Sequence, residues 1–177
     1  MTLLVSNFLA VLVLTALAGT IVMLVLAIAG RRATIRRMVD ARTALWLAAL
    51  VAVTSMAGSL FFSEEAGFVP CLLCWYQRIA MYPLAILLPI AAVRADDAIR
   101  PYAATLAGIG AVISAYHVLL ERVPGLPSGS CSVDAPCTLI YVERFGFITI
   151  PVMALVGFLS ILTLLLVTRE RPSEVTS

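Results

Sequence analysis

Five long apolar runs, separated by short polar segments, organise this chain. They lie at roughly 3–29, 44–62, 75–93, 101–120 and 146–167. Each holds about 19 residues or more, enough at about 1.5 Å per residue to cross a hydrocarbon layer about 30 Å thick. The pattern predicts an all-α membrane protein with five transmembrane helices. The first run exceeds what a span requires and is expected to tilt or to extend into the interface. The polar connections leave no room for a soluble domain, so the chain is read as one bundle, without repeats or low-complexity segments.

Composition agrees with this reading. Of 177 residues, 62% are hydrophobic and 12% charged, values of a membrane protein and not of a soluble core. All 12 basic residues are arginines. Arg31, Arg32, Arg36, Arg37 and Arg42 separate the first two runs, Arg94 and Arg100 the third and fourth, and Arg169 and Arg171 follow the fifth. Arg122 and Arg144 fall on the opposite side, with Arg78 near that end of the third run. The positive-inside rule then predicts N-out and C-in. The net charge of +2 follows from this asymmetry and gives no hint of nucleic acid. The first run lacks a basic leader and its arginines follow it, so it reads as an uncleaved helix and not as a signal peptide. Met38 is an alternative start that would leave four spans in the same topology.

That topology puts all four cysteines on the outer side, where disulfides are permitted. Cys71 and Cys74 form a C-x-x-C pair after Pro70, at the predicted N-terminus of the third span. Unpaired backbone N–H groups and the helix dipole favour a thiolate there. Arg78 follows Cys74 by four residues and Cys71 by seven, on the same helix face. Its side chain is expected to snorkel back to the level of the sulfurs, as a fixed charge and a donor to a carbonyl oxygen. Cys131 and Cys137 lie in a loop whose Pro124, Gly125, Pro127, Ser128, Gly129 and Ser130 carry turn chemistry. The even count allows two disulfides or one four-cysteine zinc site. A structural zinc clip suits small soluble folds better than a bundle, and no metal is assigned.

Other residues weigh less. His117, the single histidine, falls near the outer end of the fourth span, and one histidine argues against a haem bundle. Aromatic residues at the outer boundary form a belt by default; Trp75 and Tyr76 are nearest the thiols and are taken as lining a ligand site. Ala103, Ala107, Ala111 and Ala115 make a small-residue stripe for close helix packing. Pro83, Pro89 and Pro151 are expected to kink or start helices. Asp96 and Asp97 read as solvated loop charges.

The segments CLLCWYQR, YHVLLER and CSVDAPCTLIYVERFGFITIPVMAL resemble the DsbB/BdbC disulfide-bond formation proteins of bacteria, more closely the BdbC branch with its short C-x5-C pair. The resemblance covers roughly 44–168. It implies a DsbB-like antiparallel four-helix bundle over 44–168, with two extracytoplasmic cysteine pairs, preceded by an extra N-terminal helix (1–30) and an Arg-rich cytoplasmic loop (31–43), and followed by a cytoplasmic tail (169–177). It further implies a protein of the bacterial plasma membrane that oxidises a secreted thioredoxin-fold, DsbA-like dithiol partner and passes electrons to a membrane quinone, ubiquinone or menaquinone. By resemblance, Cys71–Cys74 and Cys131–Cys137 are the disulfides. Cys74 faces the quinone ring, Arg78 and His117 belong to the quinone site, Cys131 meets the partner and Cys137 exchanges with Cys71. The first span has no counterpart in the four-helix core. The second pair is closer together than in the longer-loop branch, which leaves open whether Cys131 or Cys137 is attacked first. The rival readings are a vitamin-K-epoxide-reductase-like bundle, disfavoured because its C-x-x-C comes late in the core, and a scaffold held by zinc or static disulfides.

Overall fold

In the computed structural model, residues 1–123, 131 and 135–168 are described. The turn residues Pro124–Ser130 and the tail 169–177, with Arg169 and Arg171, lie outside that set. The helices are α1 (Thr2–Ile28), α2 (Arg32–Met38), α3 (Ala41–Leu60), α4 (Leu72–Arg94), α5 (Arg100–Arg122) and α6 (Ile150–Val167). Five of them, all but α2, are long and apolar enough to cross a membrane. The protein is therefore an all-α, five-span membrane protein. Helix α2 occupies the connection expected to be a loop.

Helices α3, α4, α5 and α6 pack into a closed ring, each against the next, and α6 returns to α3. Helix α1 lies outside this ring against α6. The core combines large side chains (Leu45, Leu84, Leu88, Phe158, Ile161 and Leu165) with alanines of α3, α4 and α5. On α5 the small-residue stripe holds at Ala103, Ala107 and Ala111, which are buried. Ala115 is exposed. A four-residue repeat drifts about 40° per step on a helix of 3.6 residues per turn, so Ser114 and His117 take the inward positions instead. Gly110 lets α6 approach: a Cβ there would lie 2.3 Å from the Phe158 ring.

The end of the bundle away from the cysteines is closed by a buried arginine. Arg100, 3% exposed, pairs through Nε with Asp97 at 2.6 Å. Its Nη1 donates to the Leu165 carbonyl and the Thr168 hydroxyl, and its Nη2 to the Ala41 carbonyl. One side chain thus ties the start of α3, the start of α5 and the end of α6. The Asp96 carboxylate accepts from the Ala98 N–H, so neither aspartate is a merely solvated charge.

Two local features shape the cysteine end. Helix α3 continues into a π-helical turn, Phe61–Glu65, a form frequent at functional sites. Helix α6 begins four residues later than its apolar run, because Phe145 and Gly146 adopt positive φ and Arg144 bridges to Ile148. Pro151 then sits in the first turn of α6, where a missing N–H costs nothing. Helix α4 runs continuously through Pro83 and Pro89.

Candidate active site: two cysteine pairs joined by a histidine

Cys71 is the N-cap of α4, and its sulfur accepts from the Cys74 N–H at 3.4 Å. Its Sγ lies 3.0 Å from the Cys74 Sγ and 3.7 Å from His117 Nε2. A disulfide would hold the sulfurs about 2.05 Å apart. Cys71 and Cys74 are free thiols, whereas Cys131 and Cys137 are bonded to each other. The two sulfurs share a hydrogen bond. Those contacts hold the Cys71 thiol far below its ordinary value, down to about 4. The Cys74 thiol has the largest effect; burial opposes it, and His117 adds a second hydrogen bond. Of the two sulfurs, Cys71 is the one favoured as a thiolate. A sulfur at the helix cap collects more donors than one a turn further in.

His117 links the two pairs. The Gln77 Nε2 lies 3.2 Å from Nδ1; as oriented, that amide donates, so the ring proton is on Nε2. From there it faces both the Cys137 carbonyl, at 3.1 Å, and the Cys71 sulfur. Cys71 and Cys137 are buried in one cluster with Leu120, and Cys131 and Cys74 pack against it. Cys137 is 1% exposed, while Cys131 is only partly buried. Behind this cluster, the Thr149 hydroxyl donates to the Glu121 carboxylate at 2.6 Å, and Glu121 shares a small cavity with Cys71, Cys74 and His117.

Arg78 turns back along α4 toward Trp75 and the end of α3. Its Nη2 donates to the Ser59 carbonyl at 3.1 Å, one residue before the end of α3, and its guanidinium lies 5.2 Å from the Trp75 ring centroid. Among the described residues it hydrogen-bonds to neither sulfur, and Glu143 pairs with Arg122 instead. Tyr82 reaches the Ser59 hydroxyl. Arg78 lines an elongated, largely apolar cavity of about 790 Å³, together with Cys74, Gln77 and Tyr82. That volume falls within the roughly 300–1,000 Å³ typical of small-molecule sites. Phe62, Phe68 and Tyr141 stack in sequence at its cysteine end.

Several expected site residues lie elsewhere. Trp75 and Tyr76 are 50% and 46% exposed and do not line this cavity; they face outward on α4, where Trp75 covers Arg78. His117 is also outside it, among the thiols. Cys74 borders both cavities. Sequence reasoning missed Gln77, Ser59, Tyr82, Glu121 and Thr149. Gln77 carried a readable signal: a polar amide within an apolar span must find a partner, and it lies three residues after Cys74.

The trio Cys71, Cys74 and His117 presents three ligand atoms within 4.8 Å of one another, a geometry able to hold a thiophilic ion. Cys131 and Cys137, bonded to each other, are not part of this trio.

Comparisons with known proteins agree with this geometry. Residues 41–135 match the family model described as "Disulfide bond formation protein DsbB". The chain is 46% identical over 133 residues to "Disulfide bond formation protein C" of Bacillus subtilis, covering 74% of this chain and 94% of that protein. It is 46% identical over 130 residues to a "Probable disulfide formation protein" of Oceanobacillus iheyensis, 72% of this chain and 88% of that one. A Halalkalibacterium halodurans "Probable disulfide formation protein C" is 41% identical over 124 residues, 69% and 90% of the two chains. No solved structure matches the chain. The family match begins at Ala41, after α1 and α2.

Proposed function

The chain belongs to the DsbB family of disulfide bond formation proteins, and from that premise we propose that it is a membrane thiol oxidoreductase that re-oxidises a thioredoxin-fold, DsbA-like dithiol partner and delivers two electrons to a membrane quinone. It works in the bacterial plasma membrane with its cysteine end extracytoplasmic, N-terminus out and C-terminus in. The arginine bias supports this orientation: the α1–α3 connection and the α4–α5 connection carry Arg31, Arg32, Arg36, Arg37, Arg42, Arg94 and Arg100 at the opposite end.

The observation that carries the reading is the continuity of sulfur from the partly exposed Cys131, through buried Cys137 and Cys71, to Cys74 on the wall of the large cavity. A partner thiolate attacks Cys131, the more accessible sulfur. The Cys131–Cys137 bond breaks and Cys137 leaves as a thiolate. Cys137 attacks Cys71 of an oxidised Cys71–Cys74 pair, and Cys74 leaves in turn. The second partner thiol attacks the partner–Cys131 bond, which frees oxidised partner and the Cys131 thiolate. Cys131 then re-forms its bond with Cys137 and releases Cys71. Cys71 and Cys74 now hold the electron pair as free thiols, beside a re-formed Cys131–Cys137 bond. A quinone held beside Cys74 and Arg78 would accept their two electrons and two protons, and the Cys71–Cys74 bond would re-form.

The residues fit a quinone. The cavity is large enough and mostly apolar, Cys74 borders it, and Arg78 can donate to a ring carbonyl. His117 acts on the thiols and not on the ring: its Nε2–H stabilises the Cys71 thiolate while touching the Cys137 backbone.

Trapping tests this. A thioredoxin-fold partner lacking its resolving cysteine is expected to accumulate a mixed disulfide with Cys131. Capture on Cys71 instead, with Cys131 untouched, would reverse the proposed order.

A further inference from the structure

Helix α1 stands outside the family match, yet it forms one long side of the large cavity. Phe8, Leu12, Ala16, Gly19 and Met23, spaced three or four residues apart on one helix face, all line it. From Phe8 to Met23 the rise along the helix is about 22 Å, most of a hydrocarbon layer about 30 Å thick. The cavity therefore runs from Cys74 and Arg78 down to Met38 and Val39 near the other end of the bundle.

Small residues create the space. Ala16 and Gly19 leave it open at mid-depth, and a Cβ built on Gly19 meets nothing within 4 Å. Helix α1 is anchored along its length. Ser6 accepts from Arg144 Nε at 3.1 Å, Thr20 hydrogen-bonds to Ser160 at 2.9 Å, and Leu9 leans on Gly58. These fix α1 against the loop before α6, against α6 and against α3, and leave a slot between them.

We propose that α1 is the lipid-side wall of a channel for the isoprenoid tail of the quinone, whose ring is held between Arg78 and Cys74. This rests on the quinone reading above and adds a tail subsite to it. The argument for this occupant is continuity: the slot has one polar end, where the electrons leave Cys74, and an apolar body about 22 Å long behind it. A ligand with a polar redox ring and a long hydrocarbon tail matches both parts. Within the cavity, α1 makes tail length a determinant of affinity.

The test uses the full chain with Gly19→Leu, which fills the slot without meeting a backbone, and Ala16→Phe as a second blocking variant. Gly108→Leu, on α5 away from the cavity and with nothing within 4 Å of its Cβ, is the control. Quinone reduction is measured with a tail-less ring and with the same ring carrying several isoprene units. Blocking variants are expected to raise the ratio of KM for the long-tailed to the tail-less quinone by about tenfold, about 1.4 kcal/mol, while Gly108→Leu leaves it unchanged. An unchanged ratio in both blocking variants overturns the proposal, as does loss of a co-purified phospholipid without a change in the ratio. Failure of the unaltered protein to reduce either quinone overturns the quinone reading itself, a separate outcome.

Discussion

Replacing His117 with alanine probes how the Cys71 thiolate is held. In the folded protein this thiol lies at about 4, against an ordinary 9.0, with the Cys74 thiol as the largest cause and His117 as a second. Because the folded value is depressed, the thiolate's contribution to stability is full above 9.0, declines as pH falls and is gone below about 4. A hydrogen bond to a charged group is worth about 1.5–3 kcal/mol, or about 1–2 pH units at 1.36 kcal/mol per unit. His117→Ala is therefore expected to move the inflection up to about 5–6, and Cys74→Ala, which removes the larger contribution, to move it further. The assay is thiolate ultraviolet absorbance against pH, taken anaerobically without quinone, as the difference between each protein and its Cys71→Ser counterpart. An inflection that His117→Ala leaves in place, or a Cys71 in the unaltered protein that titrates near 9.0, would refute the reasoning.

Arg100→Ala is expected to cost about 2–4 kcal/mol, because it removes hydrogen bonds from a charged donor to the Ala41 and Leu165 carbonyls; thermal unfolding in detergent measures it, and a shift confined to activity would contradict it. Gly110→Ala drives a Cβ against the Phe158 ring and should cost about 1–3 kcal/mol, partly recovered by Phe158→Leu in the same unfolding assay. Gln77→Leu removes the donor to His117 Nδ1; it should slow exchange between the two cysteine pairs, followed by rapid acid quench, without altering partner capture on Cys131.

Much of the architecture could be read directly from the chain. Each span needed only length and apolarity, and the bilayer forces such runs into helices. The cysteine end was legible because Pro70 and the C-x-x-C pair fall at the start of α4 and the second pair in the connection between α5 and α6. Side-chain courses were not. Arg78 shares a face with both cysteines, but the end of α3 offers it the Ser59 carbonyl, and spacing along one helix carries no information about that. Trp75 and Tyr76 were near the thiols in sequence yet lie on the outer face of α4, whereas the aromatic wall comes from Phe62, Phe68 and Tyr141, brought together from three segments. Arg100 read as one more topological charge, because its partners at Ala41 and Leu165 are far away along the chain. The stripe on α5 failed at Ala115 for a purely helical reason, the drift of a four-residue repeat.

The central claim is that one electron pair travels from a partner dithiol through both cysteine pairs to a quinone. Stoichiometry during turnover tests it most directly, with purified protein, reduced thioredoxin-fold partner and quinone followed together. The account predicts one quinol for each partner disulfide formed, with both lost in Cys71→Ser while partner capture on Cys131 persists. Partner oxidation that continues in Cys71→Ser, or that proceeds without quinol, would contradict it.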